Sequence, residues 1–234
     1  MSKALQLASR AALLNVAYRV ALRPRLARWG ATDEEARESL PGDDILPAGA
    51  VTSTMATTID APPEDVWPWL VQMGCDRAGW YSHDLLDNAG RPSADHIVDE
   101  WQRVSLGDRM SSDPTGKQRV WFTIEGIYPE HALVLRAPID LRTGRPYDLA
   151  GPRPRAYSDS TWAFVLEELP GSRTRLLART RNDAWPAWRT LPFAVIGLPS
   201  HVFMQLRQFR NLARRAERMH REERKPAPAV AVTP

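Results

Sequence analysis

One cysteine, Cys75, in 234 residues leaves no internal disulfide and no cysteine-rich zinc site, and it fits a reducing compartment. Lysine is almost as scarce: Lys3, Lys117 and Lys225 stand among 31 basic residues, the rest arginine. No apolar run reaches the roughly 20 residues that a bilayer span requires. The nearest, Ala11 to Leu22, is interrupted by Asn15 and Arg19. It does not read as a secretory leader either, because Arg23-Pro24-Arg25 follows where a small-residue cleavage site is needed. A Gly-rich phosphate loop, a Gly-x-Ser-x-Gly elbow and a paired-histidine zinc signature are also missing, which argues against the chemistries those motifs serve.

Against these absences, hydrophobic residues at 43% and charged residues at 25% are ordinary for a globular chain, and the length suits one large domain or one domain with extensions. The net charge of +3 hides a segregation along the chain. Residues 1–30 carry six positive charges and no acid, whereas residues 46–200 carry 16 positive and 19 negative charges. Residues 201–234 are basic again, with eight positives and three negatives. A net-negative middle argues against nucleic acid as a partner. The basic ends leave open a peripheral contact with anionic membrane, against the more ordinary docking of a short basic helix on its own domain.

Local patterns then order the chain. Thr32-Asp33-Glu34-Glu35 has the spacing of a capping box and predicts a helix start, closed by Pro41-Gly42. Val51 to Ile59 alternates and is rich in threonine, so it predicts a strand. Pro62-Pro63-Glu64 then opens a helix with Trp67, Leu70 and Val71 on its buried face. Residues 75–117 are polar and irregular, with short helices near 82–88 and 94–101 and a strand near Arg109. Strand patterns follow at 119–127, 132–137 and 161–168, and Pro170-Gly171 makes a hairpin into 173–181. Strands in succession without intervening helices imply an antiparallel sheet. The four prolines within 138–157 predict a long loop. A last helix from about Ser200 to Arg224 carries Val202, Leu206, Phe209, Ala213 and Ala216 on one stripe. Arg207, Arg210, Arg214, Arg218 and Arg221 form a second stripe.

The run Ile59-Asp60-Ala61-Pro62-Pro63-Glu64-Asp65-Val66-Trp67-Pro68-Trp69-Leu70, with Gly79-Trp80-Tyr81-Ser82 and Ser160-Thr161-Trp162-Ala163-Phe164, resembles the SRPBCC superfamily. This is the superfamily of START-type, pollen-allergen-like and polyketide cyclase/dehydrase-like domains. The likeness covers roughly residues 30–222, and Trp29-Gly30-Ala31-Thr32-Asp33 is similar to a bacterial subgroup without an assigned activity. It implies an α+β helix-grip fold: a curved antiparallel sheet around a long C-terminal helix, with an apolar cavity between them. The chain then divides into an N-terminal helical extension over 1–46, the helix-grip domain over 47–224 and a disordered tail over 225–234. His83 and His96 stand where the subgroup has tyrosine and arginine, so neither is expected to be a subgroup-wide catalyst.

Within that frame the expected ligand-binding residues are Trp80, Tyr81, His83, Trp101, Trp121, Arg136, Trp162 and Arg179. Rings with a polar edge suit a pocket that needs apolar walls and a few hydrogen bonds. Core packing is the competing role for each tryptophan. Which face of the strands looks into the cavity stays open, because Trp121 and Arg119 share one face while Phe122 and Ile124 share the other. Arginine on a cavity face would need a partner and would suit a ligand carboxylate or phenolate. Ser82-His83-Asp84 is not a triad, since adjacent residues cannot point at one another. His83 and Asp87 with Asp84, Asp95, His96, Asp99 and Glu100 have ligand types for a metal, but such clusters are ordinarily solvated, and no metal or cofactor is assigned. The expected function is binding or carrying of a hydrophobic or aromatic small molecule in the cytoplasm. Two alternatives remain: a polyketide cyclase/dehydratase-like enzyme using Tyr81, His83, Arg136 or Arg179, and a lipid carrier peripheral to the inner membrane face.

Overall fold

The computed structural model describes residues 18–186 and 197–224. A π-helical turn (Tyr18–Leu22) runs into α1 (Arg23–Leu26), followed by β1 (Val51–Ile59), α2 (Pro63–Val71) and α3 (Asp84–Asp87). A 3-10 turn at Asp99–Trp101 precedes β2 (Arg109–Ser111), β3 (Trp121–Tyr128), β4 (Ala132–Asp140) and β5 (Arg145–Pro146). β6 (Tyr157–Leu169), β7 (Arg173–Trp185) and α4 (Leu198–Glu223) follow. The sheet order is β1-β7-β6-β4-β3-β2, with β5 on β4, and every pairing is antiparallel. This is the α+β helix grip: a curved antiparallel sheet closing on a long C-terminal helix.

Side-chain alternation sorts the strands into two faces. Met55, Ile59, Ile124, Leu133, Leu135, Phe164, Leu166, Leu176 and Ala178 point inward and form one core with Val202, Phe209, Leu212 and Ala216 of α4. Ala56, Ala132, Val165 and Leu177 point outward and pack with Leu40 in a smaller cluster. α2 begins with Pro63 in its first turn and buries Val66, Trp69 and Leu70 against the inner core. His220 Nδ1 lies 2.7 Å from Asp65 Oδ2, and Asp60 N–H donates to Glu217 Oε1 at 3.3 Å, fastening the far end of α4 to α2 and its entry.

The outer face is covered by the chain's own earlier residues. Thr54 and Ala56 of the edge strand β1 donate to the carbonyls of Ala27 and Trp29 at 2.8 and 3.0 Å, so that edge is occupied. The next residues cross the outer face under arginines of β7. Arg175 grips Glu35 and the Gly30 carbonyl, and Arg179 donates to Thr54 Oγ1, the Glu35 and Glu38 carbonyls and Asp43 Oδ2. Arg181 reaches the carbonyls of Asp43, Leu46 and Pro47.

Two local expectations are corrected. The capping box at Thr32 forms, with Glu35 N–H donating to Thr32 Oγ1 at 3.1 Å and Thr32 N–H to Glu35 Oε2 at 2.6 Å, but it closes hydrogen-bonded turns rather than a lasting helix. The Glu35 and Glu38 carbonyls that would carry a helix forward are taken by Arg179. The loop expected over 138–157 is shorter, because β4 continues to Asp140, β6 starts at Tyr157 and β5 pairs in between. The basic stretch over 1–17 and the tail over 225–234 lie outside the described residues. Among the described residues, no helix is long and apolar enough to cross a membrane.

Candidate functional site

Between the inner face of the sheet, α3 and the start of α4 lies a cavity of about 190 Å³. Its apolar walls are Trp80, Phe122, Trp162 and Met204, and its polar lining is Ser82, Asp87, Ser112, His201, Gln205 and Gln208. An apolar cavity near 150 Å³ accommodates benzene, while drug-sized ligands need about 300 Å³ or more. The volume therefore suits a substituted single ring.

The aromatic wall is internally stacked. Trp80 lies on Trp162 with ring centroids 5.6 Å apart and planes 19° apart, and Phe122 meets both at 5.5 and 5.7 Å. β3 and β6 supply Phe122 and Trp162 as inward residues of their strands. Trp80 comes from the Gly79-Trp80-Tyr81-Ser82 loop, whose shape depends on Gly79 at φ +80°. A Cβ there would fall 2.5 Å from Ser93 Oγ. Tyr81 itself adopts φ +56°, a conformation that L residues rarely adopt outside functional or tightly held segments. That loop is laced to α4: Gln208 Nε2 donates to Trp80 O at 2.9 Å, Asn211 Nδ2 to Tyr81 O at 2.8 Å, and Ser82 Oγ to Met204 O at 2.9 Å. Arg215 one turn on donates to the carbonyls of Ala94 and Ser93.

Gln205 and Gln208 are both buried, although the apolar stripe expected for this helix, Val202, Leu206, Phe209, Ala213 and Ala216, includes neither. Their orientation is fixed in series. The Trp80 carbonyl requires a donor, so Gln208 presents its NH2 there and its Oε1 to Gln205. Gln205 Nε2 fills that acceptor at 2.7 Å, leaving its own Oε1 without a partner. Trp162 Nε1 and Asp87 Oδ1 are likewise buried and unpaired. Unpaired buried polar atoms carry a free-energy cost that a ligand can relieve.

Burial, with Asp84 nearby adding repulsion, pushes the Asp87 carboxyl up to about 6. Burial pushes His201 down to about 4, so its imidazole is neutral near pH 7. His201 also meets Trp162 edge-on at 6.1 Å. No arginine or lysine lines the cavity among the described residues, so its polar edge consists of one carboxylate and neutral groups. Cys75 is buried beside it and donates to the Asp87 carbonyl at 3.0 Å. Desolvation lifts its thiol to about 11, which keeps it protonated. No group of three or more His, Cys, Asp or Glu side chains able to hold a metal occurs among the described residues.

Of the eight residues singled out in the sequence, Trp80 and Trp162 line this cavity and the other six do not. Tyr81 is fully buried behind it, receiving a hydrogen bond from Gln72 at 2.7 Å under the Arg215 guanidinium, and burial raises its pKa. His83 stacks on Phe203 at 4.1 Å, outside the lining. Trp101 packs on the core from the 3-10 turn. Trp121 faces outward beneath Arg109, whose guanidinium sits 4.1 Å from its ring centroid. Arg136 and Arg179 are corrected most clearly, because strand alternation puts both on the outer face. Arg136 forms a two-pronged pair with Asp159 at 3.0 and 2.7 Å, and Arg179 is consumed by the segment that crosses the sheet. The lining residues that the sequence reading did not name as ligand-binding are Ser82, Asp87, Ser112, Phe122, His201, Met204, Gln205 and Gln208. For Gln205, Gln208, Asn211 and Arg215, the recurrence at three- and four-residue spacing was the available signal.

The fold and lining together define a helix-grip protein with an aromatic, acid-edged cavity. No protein-family model and no curated protein matches the chain. Among solved structures it is similar to protein MLL2253 from Mesorhizobium loti, at 18% identity over 72% of this chain and 98% of that chain with a TM-score of 0.41. A protein from Arthrobacter aurescens gives 16% identity over 80% and 94% with a TM-score of 0.41. CalU16 from Micromonospora echinospora gives 15% identity over 74% and 89% with a TM-score of 0.33. The helix grip rests on the chain's own sheet order and C-terminal helix, and no activity is carried across from these likenesses.

Proposed function

We propose that the protein binds a compact aromatic small molecule in the cavity between sheet and C-terminal helix. The observation that carries this reading is the aromatic wall of stacked Trp80 and Trp162, with Phe122 edge-on to the first and tilted to the second, around about 190 Å³, with unpaired polar atoms on lining residues. The size favours a ring over a two-chain lipid, since even drug-sized ligands need a larger space. Native mass spectrometry of gently purified full-length protein, followed by identification of any released molecule, is the direct test. An aromatic adduct absent from a Trp162→Ala variant that still folds supports the reading. An adduct retained by that variant counts against this cavity.

One observation favours a second reading, in which bound substrate undergoes proton transfer. Asp87 lines the cavity and holds its proton up to about pH 6, the range in which a carboxyl serves as acid or base. Turnover of any aromatic substrate that vanishes in Asp87→Asn while binding persists would establish that role. Unchanged turnover would remove Asp87 from it.

A further inference from the structure

From the polarity of the lining we infer that the ligand is an uncharged aromatic hydrogen-bond donor, a phenol or aromatic alcohol being the simplest, and that aromatic acids are excluded. This rests on the cavity being the ligand site and specifies the class it selects. Three features carry it. The Gln208-to-Trp80 bond fixes the relay so that Gln205, only 1% exposed, turns its Nε2 to Gln208 and keeps its carbonyl oxygen Oε1 with no partner at all. A second unmet acceptor, Asp87 Oδ1, belongs to the single carboxylate of the lining. Trp69 Nε1 and Arg207 Nε are buried without a partner away from the lining, so of the partnerless buried atoms on lining residues the donor is Trp162 Nε1–H.

A hydroxyl answers both kinds of group, because its proton goes to an acceptor while its oxygen accepts from the indole. A ring carboxylate supplies no proton, would lie near Asp87, and finds no guanidinium or ammonium among the described lining residues to offset its desolvation. The arginines that a sequence reading would assign to an acid are engaged on the other face of the sheet.

Three probes of matched shape test this by isothermal titration of the full-length protein near pH 7.5: ethylbenzene, 2-phenylethanol and phenylacetate. The expected order is 2-phenylethanol about fivefold tighter than ethylbenzene, the gain of one neutral hydrogen bond, with phenylacetate at least tenfold weaker than the alcohol. In Gln205→Leu the alcohol's advantage should fall to within twofold while ethylbenzene still binds, which also shows that the variant is folded. Equal affinity of alcohol and ethylbenzene for the parent protein would mean that water serves the acceptors, and would overturn the inference while leaving the cavity reading intact. So would phenylacetate binding as tightly as the alcohol. An advantage that survives in Gln205→Leu would overturn the assignment to Gln205. If none of the three binds protein that is folded by circular dichroism, the cavity reading fails and the inference falls with it.

Discussion

The two faces of one sheet use their polar groups in opposite ways. On the outer face, Arg175, Arg179 and Arg181 reach carbonyls, hydroxyls and carboxylates of the segment that crosses them, and Arg136 is locked to Asp159. On the inner face, Gln205, Trp162 and Asp87 each keep a buried polar atom unpaired around a small aromatic cavity. Both faces contain buried polar chemistry, so burial alone does not distinguish structure from function. The setting does: the outer arginines are spent on the covering segment, where Glu38 Oε1 is the one buried side-chain oxygen of that segment left unpaired among the described residues, whereas the unpaired inner atoms belong to residues that line a cavity, where a ligand can recover their free energy.

The sharpest way to break this contrast is on the outer face. Arg179 is 3% exposed, and replacing it with methionine removes the donor from two half-buried carbonyls and from Thr54 Oγ1, and leaves Asp43 with only the Leu40 N–H and the more distant Arg181. The expected cost is about 3–5 kcal/mol in chemical denaturation, as for other broken buried pairs. A cost below about 1 kcal/mol would show that the clamp is ornamental.

Next in size is an acid-side loss from the cavity. His201 is held near 4 against an ordinary 6.5, so the unfolded chain takes the proton first as pH falls. Its contribution is complete above pH 6.5 and is lost on descending through about 4, by about 3 kcal/mol. The stability difference between parent and His201→Gln, followed from pH 7.5 to 4, should shrink over that window. A pH-independent difference would contradict the burial of this imidazole.

Asp87 has the opposite sign. Its folded value of about 6 lies above the ordinary 3.8, so its contribution is present below pH 3.8 and lost as pH rises through 6. Asp87→Asn should therefore stabilise the protein above pH 6, by about 1 kcal/mol once solvent screening of a half-buried group is allowed for. Thermal unfolding at pH 3.5, 5 and 8 checks this, with no gain at pH 3.5, about half of it at pH 5 and the full gain at pH 8. The smallest effect belongs to Gln205→Leu, where a lost bond to Gln208 is offset by removal of an unmet acceptor, for a change under about 1 kcal/mol. A loss above about 2 kcal/mol would make Gln205 a structural residue like Arg179.

Much of the architecture was legible because periodicity reports burial. The strand at Val51–Ile59 matches its expected bounds, and the C-terminal helix begins two residues before its expected start. The resemblance carried by the Pro62-Pro63 and Gly79-Trp80-Tyr81-Ser82 motifs implied the helix grip that the sheet order displays. The site was less legible. Arg119, Trp121 and Thr123 alternate with Val120, Phe122 and Ile124, and alternation defines two faces without saying which one is covered by a helix. The choice is made by long-range contacts: α4 packs on Phe164, Leu176 and Ala178, which places Arg179 and Trp121 on the outside. Gln205 and Gln208 lie beside the expected stripe of Val202, Leu206, Phe209, Ala213 and Ala216, and the helix turns them inward in place of Leu206 and Ala213. Only the carbonyl of Trp80, 128 residues from Gln208 in sequence, explains their burial.

The central claim is that the inner face, not the outer, receives an aromatic ligand. Its most direct test is an NMR titration of protein labelled with 15N at the tryptophan indoles, with signals assigned by single substitution and 2-phenylethanol as the probe. The expected result is a saturable shift of the Trp162 and Trp80 Nε1–H signals, with Trp121 on the outer face unmoved. Saturable shifts at Trp121 with Trp162 and Trp80 unmoved would contradict the account, as would no shift at any of the three.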